Sequence, residues 1–61
     1  MYYILKANPK AFFIVQPNNE IIISSDYTKA TQYSTIGEAM KAASEVNKIL
    51  GTHLVKVESI G

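Results

Sequence analysis

The chain contains no cysteine and no arginine, and a single histidine. Without cysteine there is neither a disulfide nor a thiolate metal site. That composition suits a reducing compartment, and we expect the cytoplasm. Arginine makes most bidentate contacts to phosphate and guanine, so its absence argues against nucleic acid as the main partner. The net charge is only +1, and the six lysines are spread along the chain instead of forming a basic stripe. His53 with scattered carboxylates does not make a metal site, so no metal and no cofactor is expected. No apolar run approaches the ~20 residues of a membrane span. The N-terminal residues show neither the charged region nor the cleavage site of a signal peptide.

At 61 residues the chain reads as one domain, 1–61. A chain of this size buries only about 60% of the surface its unfolded form exposes. Small domains add disulfides, a metal or oligomerisation. With the first two excluded, a homo-oligomer is expected.

Helical periodicity is confined to one stretch, Thr35 to Gly51. Ile36, Ala39, Met40, Ala43, Val46 and Leu50 follow the i, i+3, i+4, i+7 rule, with Ile49 beside them. Thr35 and Glu38 have the spacing of a capping box. Gly51 stands where a left-handed C-terminal residue is wanted, and Lys48 lies in the last turn, where the helix dipole favours a cation. The alanines at 39, 42 and 43 allow close approach to a sheet.

The rest reads as strand. Met1–Ala7, Ala11–Gln16 and Glu20–Ser25 are rich in residues that favour pleated structure. Asn8-Pro9-Lys10 and Pro17-Asn18-Asn19 separate them as turns. Thr52–Ser59 alternates and follows a helical crossover, so it should lie beside a strand of the meander, and we expect the first. Ala30 to Tyr33 reads equally as a short edge strand or a loop. The expected fold is α+β: an antiparallel three-stranded meander, one helix and a C-terminal strand (β-β-β-α-β), with the helix on one sheet face.

Both parities of the meander are apolar. One holds Tyr2, Ile4, Phe13, Val15 and Ile22; the other holds Tyr3, Leu5, Phe12, Ile14, Ile21 and Ile23. One helix is about 10–12 Å wide, whereas four strands span roughly 15–20 Å. One face should therefore lack cover, and a large exposed apolar patch marks an interface. Tyr3, Leu5, Phe12, Ile14, Ile21 and Ile23 are the candidate interface. The alternative is that loops and the Tyr27–Ser34 segment fold over that face.

Candidates for chemistry are few. His53 has no serine, cysteine or acid at a motif spacing, and nothing positions it with Asp26, so no enzyme is expected. A helix N-terminus welcomes an anion. Lys29, Thr31, Tyr33, Ser34 and Thr35 near it are the candidate ligand residues for a nucleotide or other anion. Ordinary capping and turn chemistry accounts for the same residues.

Lys29-Ala30, Tyr33, Thr35, Glu38-Ala39 and Val55-x-Val57 stand in an order that resembles small accessory proteins of bacteriophages and prophages. The likeness covers about half the chain and transfers no functional residues. It implies a protein acting in the host cytoplasm by binding: blocking a host or defence protein, or sequestering a nucleotide signal. The resulting expectation is a non-enzymatic, homo-oligomeric binding protein, with a nucleotide sponge as the alternative.

Overall fold

A computed structural model of the chain describes residues 1–7 and 10–61. The expected turn at Asn8-Pro9-Lys10 has its first two residues outside the described ones. The elements are β1 (Tyr2–Ala7), β2 (Ala11–Val15), β3 (Ile21–Ser24), a 3-10 turn (Tyr27–Lys29), α1 (Ile36–Leu50) and β4 (Lys56–Ile60). The strands form one antiparallel sheet in the order β3-β2-β1-β4. This is the β-β-β-α-β arrangement read from the sequence, with the last strand beside the first.

The helix begins and ends where its caps require. The Thr35 hydroxyl accepts the Glu38 N–H at 3.2 Å. Glu38 reaches back to the hydroxyls of Ser34 and Thr35, each at 3.0 Å. At the other end Gly51 takes a left-handed φ of 67° and donates its N–H to the Asn47 carbonyl. A side chain at that φ would cost strain.

The helical stripe buries only its small members. Ala39, Ala43 and Val46 are buried, while Ile36, Met40, Ile49 and Leu50 are exposed. At 100° per residue the three buried positions cover an arc of about 60°. That arc is narrow and flat, so α1 settles closely over the seam between β1 and β4. The larger residues on its flanks overhang without meeting the sheet. Leu5, Phe13 and Val55 complete this core from below.

Two expectations about the faces need correction. The first is register. Lys6 stands opposite Phe12, and Phe13 opposite Ile23. Tyr3, Leu5, Phe13, Val15, Ile21 and Ile23 therefore share the helix-side face, and Tyr2, Ile4, Phe12, Ile14 and Ile22 the far one. Relative to the expected parities β2 is one residue out of step with both of its neighbours, and a slip of one exchanges the two faces of a strand. The candidate interface is thereby split between faces. Leu5 is fully buried in the helix-side core, with Tyr3 and Ile21 packed around it. Phe12 is buried on the far side with Ile4 and Ala30.

The second concerns the seam between β1 and β2, which pair at only two positions. Beyond them the strands part, and residues 31–33 occupy the gap. Tyr33 and Tyr3 exchange two backbone hydrogen bonds, at 2.8 and 2.9 Å. On the other side the Thr31 N–H donates to the Phe13 carbonyl at 3.2 Å, and the Thr31 hydroxyl accepts the Val15 N–H at 2.8 Å. The ambiguous segment is thus neither an edge strand nor a free loop, but an interior splice with one bridge.

The splice carries the chain from one face to the other. Before it, Tyr27 sets its ring edge-on to Phe12 at 6.2 Å, and Ala30 is buried against Ile4 and Phe12. After it, Tyr33 packs into the helix-side core. The connection therefore covers part of the far face itself, as the alternative reading of the sequence required. What stays uncovered is smaller: Ile22 on the far face and Ile23 on the helix side of β3.

Candidate functional site

A concavity lies between α1 and β4, a groove of about 1010 Å³. It exists because α1 straddles the β1–β4 seam and its overhanging flank has nothing beneath it. Ile36, Met40 and Ser44 form the helical wall, one turn apart; Val55, Val57 and Ser59 form the strand wall. Met40 is 59% exposed. Thr52, His53 and Lys48 stand at the end where α1 hands over to β4, and no carboxylate lines the groove.

β4 closes the groove with an open edge. Tyr3 turns its N–H and C=O towards Tyr33, away from β4. The Tyr3–Ser59 and Leu5–Val57 pairs are therefore the non-hydrogen-bonded ones, and pairs alternate along an antiparallel ladder. It follows that Val57 and Ser59 turn their backbone groups outward. Val55, also outward, is served by Asn47. Its N–H donates to Asn47 Oδ1 at 3.0 Å, and its carbonyl accepts from Asn47 Nδ2 at 3.2 Å. An asparagine side chain on α1 thus stands in for a neighbouring strand at one position and leaves the next two open. This contact also corrects the expected start at Thr52: the ladder begins at Lys56, because Val55 is held from the helix.

On the far face of β4, Lys56 stands opposite Lys6, and Glu58 opposite Ile4. Lys6 reaches diagonally to Glu58 at 3.0 Å. That is the only ion pair among the described residues, so Lys56 faces a like charge and has no acidic partner there.

Of the candidate ligand residues, the Thr31, Ser34 and Thr35 hydroxyls and the Tyr33 backbone are engaged within the fold. Thr31 is part of the splice, Tyr33 is bound to Tyr3, and the Ser34 and Thr35 hydroxyls both donate to Glu38. Lys29 lies exposed in the 3-10 turn. The Glu38 carboxylate lies against the Ser34 and Thr35 hydroxyls at the helix start. The Thr35 and Ser34 hydroxyls hold Glu38 below the usual carboxylate range. Asp26 is lowered likewise by the Thr28 hydroxyl and N–H. Burial, followed by the nearby Glu45 carboxylate, pushes the Tyr33 phenol up. His53 is exposed, and no three His, Asp or Glu side chains converge among the described residues.

Ile36 and Met40 continue the helical stripe by spacing, and spacing alone groups them with Ala39 and Ala43. Only the position of the helix over its seam separates the two sets.

By fold the chain is a small α+β protein with a four-stranded antiparallel sheet, and among the described residues no helix is long and apolar enough to cross a membrane. No family model, no curated protein and no solved structure matches it.

Proposed function

We propose that this is a non-enzymatic binding protein whose docking surface is the groove between α1 and β4. The observation that carries the reading is the conjunction of an overhanging apolar helix flank with an open strand edge. Backbone groups at Val57 and Ser59 supply hydrogen bonds to an added strand, and the helical wall takes its side chains. Strand addition at a sheet edge uses these two components. The nucleotide alternative lacks comparable support, since the Ser34 and Thr35 hydroxyls are already bonded to the Glu38 carboxylate.

The test is site-specific photo-crosslinking in cells expressing the protein. A photoreactive phenylalanine analogue replaces Met40 in the groove, or Lys29 on the opposite side as the control. The reading expects polypeptide adducts of discrete mass from position 40 and not from 29. Equal labelling from both positions, or none from 40, overturns it.

A further inference from the structure

We infer that the occupant of the groove is a second copy of this chain, paired antiparallel through β4 about a two-fold axis at Val57. This rests on the reading that the groove is a docking surface, and goes further by naming what docks. Three features of the strand and helix point to self-pairing.

The first is charge. In this register Val57 faces its own mate, and Lys56 faces Glu58 of the second copy, twice over. Lys56 now stands opposite Lys6 within its own sheet. Like charges directly opposite each other are unfavourable, and opposite charges there are favourable. The second copy therefore supplies the acid that Lys56 lacks. A register shifted by two, centred on Glu58, sets Glu58 against its own mate and leaves Lys56 opposite Ile60.

The second is the backbone. Val57 turns both of its backbone groups outward, so the central pair closes with two reciprocal hydrogen bonds. Ser59 of the second copy falls opposite Val55, whose N–H and carbonyl Asn47 already holds, so the hydrogen-bonded seam is the Val57 pair alone.

The third is the fit of the helices. α1 lies over the β1–β4 seam, half a strand spacing inside β4, and the two-fold axis lies half a spacing outside it. With strands about 4.8 Å apart, the two helices stand roughly 10 Å apart, close to the 8–10 Å of packed helices. They run antiparallel, which brings the long Met40 side chain of each onto the small Ser44 of the other. The result is an eight-stranded sheet with two helices on one face.

Sedimentation equilibrium of the full chain across micromolar concentrations tests this, with the Lys56→Glu variant and the Lys56→Glu/Glu58→Lys double variant. Lys56→Glu places an acid beside Lys6, so its fold is not weakened; circular dichroism checks that. We expect wild type to sediment at twice the chain mass, Lys56→Glu to dissociate at least tenfold more readily, and the double variant to recover to within about threefold of wild type. Hydrogen exchange at Val57 should slow as concentration rises. A monomer at every concentration overturns the inference while leaving the groove reading to the crosslinking result. Adducts from position 40 whose mass is not twice that of the chain do the same. A dimer that Lys56→Glu leaves intact, or that Ile23→Lys on the opposite edge dissociates instead, also overturns it.

Discussion

The two halves of this sheet solve the same problem on opposite sides. The β1–β4 ribbon, paired at five positions, is covered on one face by fifteen residues of helix. The β2–β3 ribbon, paired at four, meets the 3-10 turn and Ala30 on the other face through Phe12. The helix-side core gathers Leu5, Phe13, Ala39, Ala43, Val46 and Val55 beneath a capped helix. The far core gathers Ile4, Phe12 and Ala30 beneath a turn. A chain this short does not have enough residues to lay a helix on each face. It covers the second face with its own connection, at the cost of parting β1 from β2 and joining them again through residues 31–33.

Substitutions can break that comparison one contribution at a time. The largest effect should come from the helix-side core. Leu5 is fully buried, and Leu5→Ala is expected to cost about 3 kcal/mol. For a domain whose total stability is roughly 3–9 kcal/mol, that is a third of the total or more, and the urea midpoint should fall in proportion. A loss under about 1 kcal/mol would show that the helix-side core is not the main support.

The splice comes next. Thr31→Val keeps the shape but removes the acceptor for the Val15 N–H, leaving a half-buried donor unpaired. We expect a loss of about 1–2 kcal/mol, with faster hydrogen exchange at Val15 and little change at Glu58. Equal acceleration in both ribbons would mean that they do not differ as described.

Thr35→Ala removes the N-cap and should cost about 1 kcal/mol, read from the thermal midpoint. The same site sets a pH dependence. Glu38 ionises below its ordinary value because Thr35 and Ser34 stabilise the carboxylate. A depressed acid contributes stability above its unfolded pKa, and that contribution is lost as pH falls through the folded one. Wild type should therefore lose stability on acidification below the ordinary glutamate range, and Thr35→Ala should lose less. Asp26 acts in the same direction and remains in the variant.

Smallest is the Lys6–Glu58 pair, which is partly exposed on both sides. Lys6→Met should change stability by less than about 1 kcal/mol, and added salt should abolish the difference. A larger loss that survives high salt would show that the Lys6 stem matters through packing.

The sequence showed the elements better than their neighbours. Caps made the helix ends legible, because Thr35, Glu38 and Gly51 carry their signals locally. The crossover rule put β4 beside a strand of the meander but did not by itself select β1. Register was not legible, since both parities of β1 and β2 are apolar and offer no preferred face. Neither was the splice: Thr31 and Tyr33 look like ordinary loop residues until the partners across the gap are known. The groove was hidden because spacing alone cannot distinguish Met40, which overhangs, from Ala43, which docks.

The splice has one more consequence, for how the native pairing is selected. Tyr3 can give its backbone groups to Tyr33, as it does here, or to Val15 in a fully zipped β1–β2 hairpin, but not to both. The hairpin is the more local choice and closes a shorter loop, so it is entropically the easier to reach. Strands that zip early must reopen to admit the latecomer. Stopped-flow refolding followed by tyrosine fluorescence would register this rivalry as a slow phase that grows in Thr31→Val; a single phase in both chains would mean the intruder arrives first.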